Sequence, residues 1–282
     1  MNKGMGSHLL AFNMRDLPSR VEKFLKDTFP QQQVEASYEL TDGLSNKNYL
    51  VVIEQEKYVL KLYQSTFPKQ SLLLQTRLSQ GSDNVQKVVA WDQTTQSAIF
   101  NYVEALQQDL DKDAIVHLTH ILAHIHQLAV NNTSTVLNLK QALNSLHQLF
   151  KLKFTREFDF AMESFSRFPE DIGFCHNDLV KENCIASDTG VVVIDFEYAS
   201  RGDIYFDLAA LVTSFELKED QIMNMLQAYY IQKKHIMPSY ASRKLTAFRV
   251  VYLLLCIAWY EERGEAEKAA SHIEHLKAIE II

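Results

Sequence analysis

Cysteine and proline are scarce in this chain, since 282 residues contain only three cysteines and five prolines. The cysteines, Cys175, Cys184 and Cys256, are odd in number and lie in apolar stretches of the sequence. A disulfide framework needs paired thiols, so this pattern argues against a disulfide-rich secreted domain. We expect reduced, buried thiols and a cytoplasmic protein.

Long hydrophobic runs and basic blocks are also missing. The longest apolar run, residues 250–260, is shorter than the roughly 20 residues that a membrane-spanning helix needs. Residues 1–14 lack the apolar core of a signal peptide. The formal net charge is −7, and Lys and Arg form no stripe. We therefore expect no membrane and no nucleic acid as partners. Both a monomer and a homodimer are compatible with the sequence.

One stretch of polar residues carries recognisable chemistry. His176-Asn177-Asp178 is followed five residues later by Asn183, and Asp195 ends a β-branched run, Val191 to Ile194. Phosphoryl transfer needs a carboxylate that accepts a hydroxyl proton and oxygen ligands for Mg²⁺. The spacing predicts that Asp178 is the catalytic base, or at least the group that orients the acceptor hydroxyl, and that Asn183 and Asp195 are metal ligands. A His-x-Asp alone means little, and the combination carries the interpretation.

Hydrophobic periodicity changes along the chain. The first hundred residues predict helices and an alternating set of five strands, whereas the remainder is mostly helical with short strands at 172–175 and 191–194. The predicted N-terminal elements are helices at 17–29 and 68–80 and strands at 34–40, 48–53, 57–63, 86–91 and 98–103. The predicted later helices are 107–129, 136–153, 156–167, 207–216, 219–233, 240–262 and 265–280. The fold class is therefore α+β.

The polar stretch and its surroundings resemble the small-molecule branch of the kinase-like superfamily. This branch contains aminoglycoside phosphotransferases, choline and ethanolamine kinases, and bacterial thiamine kinases. Asn177 stands where protein kinases carry Arg, and Ile194 to Ala199 reads Ile-Asp-Phe-Glu-Tyr-Ala, similar to choline kinases. The resemblance is strongest over 172–212 and faint beyond. It implies a two-lobed protein-kinase-like fold, with an antiparallel-sheet N-lobe (1–103) and a larger, mainly helical C-lobe (104–282).

The resemblance implies a nucleotide site in the N-lobe. Val59 and Lys61 share one face of a strand, where a kinase lays an apolar side chain on adenine and a Lys on the phosphates. Gly43, Ser45 and Asn46 resemble the phosphate-binding turn of choline kinases, although a plain hairpin turn is the alternative. Tyr102 and Val103 lie at the expected hinge, where backbone groups bind adenine.

The N-lobe departs from the kinase pattern at one point. Kinases pair the strand Lys with a Glu on the next helix, and residues 68–80 contain no Glu or Asp. Gln75 is the residue that we expect opposite Lys61, with Glu104 or Asp42 as alternatives.

Several residues are expected to support catalysis. Glu197 is expected to bind a second Mg²⁺ or the substrate, with a solvated carboxylate as the alternative. His176 is expected to orient the catalytic loop, and His126 to be a hydrogen-bonded core residue beneath it. Asp207 caps a helix, ties down the loop, or does both.

The acceptor site is expected to hold a cation by aromatic faces and carboxylates. The candidates are Tyr198, Tyr205, Tyr252, Trp259, Glu197 and Asp203. For Tyr252 and Trp259 the alternative is an ordinary role in the core of a hydrophobic helix.

The sequence thus predicts an ATP- and Mg²⁺-dependent kinase. It would transfer the γ-phosphate to the hydroxyl of a cationic amino alcohol, most readily choline or ethanolamine. Thiamine kinase and then aminoglycoside phosphotransferase activity are alternatives from the same branch. A catalytically silent, kinase-like binding module is the alternative from a different class.

Overall fold

The computed structural model describes residues 10–12, 17–40, 46–106, 110, 112–130 and 136–281. The chain divides into two compact units. The first comprises residues 1–110 and 185–197, and the second comprises residues 111–184 and 198–282. The predicted single boundary after residue 103 stays a prediction, and the segment 185–197 groups with the first unit.

Alternating side chains in the first unit build an antiparallel sheet of six strands in the order β1-β2-β3-β4-β6-β5. All neighbours in this sheet are antiparallel. The edge strand β1, only three residues long, was not predicted. The strands are β1 (Leu10–Phe12), β2 (Val34–Leu40), β3 (Lys47–Ile53), β4 (Glu56–Leu62), β5 (Val88–Asp92) and β6 (Ser97–Asn101).

Two helices accompany this sheet, α1 (Ser19–Thr28) and α2 (Lys69–Gln80). Val21, Phe24 and Leu25 of α1 recur at helical spacing and pack in one cluster with Val51 and Ile53 of β3. Burying such side chains contributes about 1.5–3 kcal/mol each. The result is a firmly held sheet whose central strand β4 carries Lys61.

A short hairpin completes the first unit. Strand β8 (Cys184–Ser187) pairs with β9 (Gly190–Val193) to form it, and strand β7 (Ile172–Cys175) precedes both in the chain. The turn uses Gly190 at a φ of 108°, which glycine adopts without steric cost. The amide of Val193 donates to Asn84 O at 2.8 Å, and Val193 O accepts from the amide of Gln86 at 3.0 Å. These bonds fix the chain just before Asp195.

The second unit is mainly helical, so the α+β class predicted from the sequence is confirmed. Its longest helix, α9, packs against α6, α7 and α10. No helix among the described residues is both long and apolar enough to cross a bilayer. The helices are α3 (Lys112–His126), α4 (Leu139–Ser145), α5 (Gln148–Lys153), α6 (Thr155–Arg167), α7 (Tyr205–Ser214), α8 (Glu219–Gln232), α9 (Ala241–Glu262) and α10 (Ala266–Lys277).

Two features of the second unit differ from the sequence prediction. The helix expected over 136–153 is broken at Leu146, and His147 caps α5 by accepting the amide of Leu149 at 3.2 Å. Strand β10 (Ser200–Asp203) pairs antiparallel with β7 and was not predicted, because Ser-Arg-Gly-Asp lacks the β-branched and aromatic residues typical of strands.

Candidate active site

Lys61 lies at the centre of a polar cluster in the first unit. Its Nζ is 2.5 Å from Asp195 Oδ1 and 2.9 Å from Glu197 Oε2. Glu197 also accepts a hydrogen bond from the side-chain amide of Asn46. The Lys61 and Glu197 side chains are largely buried, whereas that of Asp195 is 32% exposed. One carboxylate of the cluster therefore remains accessible to solvent.

Local backbone geometry brings these side chains together. In β4, Lys61 pairs with Asn48 of β3 and Ala98 of β6, so the strand is held on both sides. Asp195 has a φ of 61°, a left-handed conformation that is uncommon outside glycine. It directly follows the run that β9 begins, so the turn comes where the strand ends.

The charges of the cluster shift its protonation equilibria. Burial alone would lower the pKa of Lys61, but the Asp195 and Glu197 carboxylates outweigh burial and raise it. Burial, followed by the negative charge of Asp195, raises the pKa of Glu197. Burial, with both carboxylates nearby, also raises the pKa of the Tyr63 hydroxyl. Lys61 therefore stays an ammonium, as a phosphate ligand must.

The helix residue expected opposite Lys61 has a different partner. Gln75 of α2 is buried, and its Nε2 donates to Gln86 O at 2.9 Å, which ties α2 to the chain before β5. The alternative Glu104 pairs with Lys57 at 2.9 Å on the surface. Asp42, Gly43 and Ser45 lie outside the described residues. Instead, the carboxylate of Glu197 lies beside Lys61, a pairing that the sequence did not predict.

The expected hinge residues follow β6. The amide of Tyr102 donates to Lys57 O at 3.2 Å, and the Lys57 ammonium lies 5.2 Å from the centre of the Tyr102 ring. Val103 is buried, and Val59 packs partly against a cluster that includes Tyr63 and Phe100.

In the second unit, Asp178 and Asn183 lie on one short loop. Asn183 Nδ2 donates to Asp178 O at 2.9 Å and to Asp178 Oδ2 at 3.1 Å. A 3-10 turn at Lys181–Asn183 brings the amide back towards Asp178. The amide of Asp178 donates to Nδ1 of the fully buried His176 at 3.3 Å. The sequence spacing of five residues is thus a closed, hydrogen-bonded loop.

Asp207 holds the start of this loop from the first turn of α7. Its Oδ2 accepts the amide of His176 at 2.6 Å, and its Oδ1 accepts the amide of Asn177 at 2.8 Å. Asn177 has a left-handed φ of 64°, and the bond from its own amide to Asp207 helps to hold the backbone in this conformation. Oδ2 of Asp207 also lies 3.1 Å from Nε2 of His126.

His126 connects the loop to α8. Its Nδ1 is 2.6 Å from the hydroxyl of Tyr229, a partner that no local sequence signal marks. Burial lowers the pKa of His126 despite the neighbouring Asp207 carboxylate. Strand β7 passes close to the backbone of His126. A Cβ on Gly173 of β7 would lie 2.9 Å from His126 O, so this position requires glycine.

Three expected acceptor residues differ in exposure. Tyr198 is half exposed, Tyr252 is buried with its ring 5.5 Å from that of Phe206, and Trp259 is half-buried. The guanidinium of Arg263 lies 3.8 Å from the centre of the Trp259 ring. Burial raises the pKa of the Tyr252 hydroxyl, with smaller contributions from Cys256 and from the Asp178 carboxylate.

Asp203 and Tyr205, also expected at the acceptor site, surround a buried lysine. Lys244 Nζ donates to Asp203 Oδ2 and Asp171 Oδ2, each at 2.7 Å, and to Pro169 O at 2.6 Å. The ammonium lies 4.5 Å from the centre of the Tyr205 ring. Asp203 and Tyr205 thus contact Lys244 in this structure, and their role at the acceptor site stays a prediction. The sequence reasoning missed Lys244, although a lone Lys within an apolar helix was a visible signal.

Comparison with known proteins identifies the architecture. The model of the phosphotransferase enzyme family, APH, matches residues 39–244. Protein LicA of Haemophilus influenzae is 24% identical over 262 residues, covering 79% of this chain and 73% of LicA.

Two solved structures show the same fold. Choline kinase LicA from Streptococcus pneumoniae superposes with a TM-score of 0.72 at 22% identity, over 92% of this chain and 98% of that one. A spectinomycin phosphotransferase, APH(9)-Ia, superposes with a TM-score of 0.69 at 15% identity, over 92% and 94%. The kinase-like, two-lobed fold predicted from the sequence is confirmed.

Proposed function

Since the chain belongs to the phosphotransferase enzyme family, we propose that it is an ATP- and Mg²⁺-dependent kinase acting on a cationic amino alcohol. Choline and ethanolamine are the leading acceptors. The observation that carries the proposal is the cluster of Lys61, Asp195 and Glu197, in which one ammonium and two carboxylates meet at 2.5 and 2.9 Å. A phosphate ligand and two hard-oxygen metal ligands are the groups that a Mg-nucleotide needs.

The first unit binds the nucleotide in this proposal. Lys61 contacts the phosphates, Val59, Tyr102 and Val103 lie along adenine, and Asn46 lies beside the phosphate chain. Gly43 and Ser45, outside the described residues, stay predicted phosphate ligands. Asp195 and Glu197 would hold Mg²⁺, since both offer oxygen atoms, and Asp195 keeps a partly exposed carboxylate. The role of Asn183 as a metal ligand stays a prediction from the sequence. A metal ion held there would supply positive charge that neutralises the phosphate groups.

Glu197 also takes the place of the missing helix glutamate. Helix α2 carries no acidic residue, and its Gln75 is bonded to Gln86 O. Glu197 Oε2 is 2.9 Å from Lys61 and is held by Asn46. We propose that Glu197 and Asn46 position Lys61, so that the orientation of this lysine does not depend on α2.

The second unit supplies the group that handles the acceptor hydroxyl. Asp178 accepts its proton or orients it, and positioning matters more than proton abstraction in a loose transition state. Asn183 holds the Asp178 carboxylate at 3.1 Å. Asp207, His176 and His126 fix the loop from behind by the hydrogen bonds described above.

The acceptor site combines aromatic rings with carboxylates. Tyr252, Trp259 and Tyr198 are proposed to contact the acceptor, and the Arg263 guanidinium, 3.8 Å from the centre of the Trp259 ring, supports a cation-binding role for this ring. Tyr260, which the sequence argument had missed, joins them. Burial raises the pKa of its hydroxyl to about 12, with further contributions from Cys256 and from the Glu182 and Asp178 carboxylates. Such surroundings favour a cationic alcohol.

Relatives support the same acceptor class. The structure from Streptococcus pneumoniae is that of a choline kinase. The likeness to a spectinomycin phosphotransferase keeps an aminoglycoside as the second candidate acceptor, with thiamine behind it.

The test is ATP consumption with Mg²⁺ in the presence of choline, ethanolamine, thiamine, kanamycin or spectinomycin. We expect turnover with choline or ethanolamine, lost in Asp178→Asn. The matched control is Asp188→Asn, an exposed acid in the β8–β9 turn, which should retain full turnover. Turnover with an aminoglycoside alone would mean that the acceptor is an aminoglycoside and not an amino alcohol. A chain that binds no nucleotide would be a silent, kinase-like module.

A further inference from the structure

The segment that comprises α8, the following turn and α9 has an unusual charge distribution. From residue 221 to residue 260 the chain contains no Asp or Glu, although 35 of its 282 residues are acidic. The same stretch contains Lys233, Lys234, Arg243, Lys244 and Arg249. Lys244 is buried between two carboxylates, and Arg249 lies 3.5 Å from Glu219. The other three cations lie near the turn between the helices.

Two isoleucines project from this turn. Ile231 is 75% exposed and Ile236 is 95% exposed, the two highest values for large apolar side chains in the described part of the chain. Most isoleucines in folded proteins are buried, so two such exposures only five residues apart need an explanation. We call residues 231–236 the isoleucine turn.

The isoleucine turn is a fixed structure. The amide of Lys233 donates to Tyr229 O at 3.0 Å, that of Lys234 to Ile231 O at 2.9 Å, and that of His235 to Tyr230 O at 3.0 Å. These bonds satisfy the carbonyls at the end of α8 as a helix C-cap does. The backbone is thus hydrogen-bonded as far as His235, directly before the exposed Ile236.

Lysine and arginine side chains lie close in sequence to the two isoleucines. Lys234 and His235 are exposed between them, and Arg243 is exposed on the first turn of α9. Lys233 is half-buried, and its ammonium lies 5.4 Å from the centre of the Tyr229 ring. The acid whose charge reaches Lys233 is Asp171, which already binds Lys244 and the Tyr240 hydroxyl.

We propose that the isoleucine turn docks this protein on an anionic lipid surface. Apolar side chains that project between lysines insert at the boundary of headgroups and acyl chains, while the cations bind the negative headgroups. A protein partner fits less well, because lysine is depleted from the cores of protein interfaces. The expectation of no membrane partner rested on the lack of a spanning run, which a surface contact does not require.

The test is co-sedimentation of the full chain with vesicles of phosphatidylcholine, with and without phosphatidylglycerol. We expect binding only to the anionic vesicles and a decrease with added salt. The double variant Ile231→Ser/Ile236→Ser should lower the bound fraction about tenfold, and Lys234→Glu should lower it as well. Vesicle-free kinase turnover should be unchanged in both.

The control is a second exposed apolar pair next to lysines. Leu149 and Leu152 of α5 are 69% and 62% exposed, but Lys151 donates to Asn144 O and Lys153 pairs with Glu261. Leu149→Ser/Leu152→Ser should leave vesicle binding intact. Three results would overturn the proposal: no binding to anionic vesicles at low salt, an equal loss in the control, or conversion of a dimer to a monomer by the isoleucine substitutions.

Discussion

Each of the two units contains a buried lysine between two carboxylates. In the first unit Lys61 lies between Asp195 and Glu197. In the second unit Lys244 lies between Asp171 and Asp203. An isolated buried ammonium is costly, so both lysines depend on their partners.

The surroundings of the two lysines differ. Lys244 has three acceptors at 2.6–2.7 Å, one for each N–H of an ammonium, and the rings of Tyr205 and Phe248 face it. Among the described residues, Lys61 has two oxygen acceptors, and Asp195 remains partly exposed. A saturated cluster stabilises the fold, whereas an incompletely saturated one can exchange a carboxylate for a phosphate. We therefore expect substitution of Lys244 to lower mainly the stability of the fold, and substitution of Lys61 to lower mainly activity.

The largest effect on stability is expected for Lys244→Met. It leaves Asp171 and Asp203 without their cation, and breaking a buried ion pair in this way costs about 3–5 kcal/mol. Urea denaturation should show this loss of free energy of unfolding, whereas Arg243→Met, on the exposed side of the same helix, should be near neutral. A loss in Lys244→Met no larger than in the control would mean that the cluster is not structural.

Lys61→Met should affect activity more than stability. Removal of one preorganised charge contact to a transferring group typically lowers turnover about 100- to 1,000-fold, and here nucleotide affinity should fall with it. Steady-state kinetics and nucleotide binding measure both, and urea denaturation should show a smaller loss than for Lys244→Met. Normal nucleotide affinity in a well-folded Lys61→Met variant would contradict the proposed nucleotide site.

His126 is a third buried nitrogen group beside a carboxylate, and it differs from the two lysines in its charge state. Burial lowers the pKa of His126 although Asp207 lies next to it. Asp207 divides its oxygens among His126 and two backbone amides. The unfolded state therefore takes up a proton near pH 6.5, and the folded state does so only at lower pH. The contribution of His126 to stability is complete above about pH 6.5 and is lost as the pH falls towards the folded pKa, by at most about 1.4 kcal/mol per pH unit.

Denaturation curves measured as a function of pH test this directly. His126→Gln should remove that decline whatever its cost at neutral pH, and His124→Gln, on the exposed side of the same helix, should keep it. An unchanged decline in His126→Gln would assign the pH dependence to another group.

The features that the sequence predicted well are local ones. The strand at 34–40 was predicted with its observed bounds, and most helices begin and end within a few residues of prediction, because side-chain periodicity follows the backbone directly. Asp178, Asn183 and Asp195 were selected by spacing, and their roles stay predictions. The break at Leu146 was missed because His147 caps a helix through its own side chain, a use that its residue type does not announce.

The features that the sequence did not predict depend on residues far apart in the chain. Lys244 meets Asp203 and Asp171 from 41 and 73 residues away, and Tyr229 meets His126 from 103 residues away. Periodicity carries no information about such pairs. The partner of Lys61 was sought on the next helix by family resemblance, whereas the structure supplies Glu197, which is 136 residues further along the chain.

The smallest effect is expected at Glu104, the residue that the sequence had offered as an alternative partner of Lys61. Glu104 pairs with Lys57, and both side chains are largely exposed, so solvent screens the pair. Glu104→Gln should leave turnover and the free energy of unfolding unchanged within error.

Glu197→Gln should lower nucleotide affinity by about tenfold, since a charge-assisted bond to a mostly buried lysine is replaced by a neutral one. Isothermal titration with ADP compares the two, and an equal or larger loss in Glu104→Gln would transfer the positioning of Lys61 from Glu197 to Glu104.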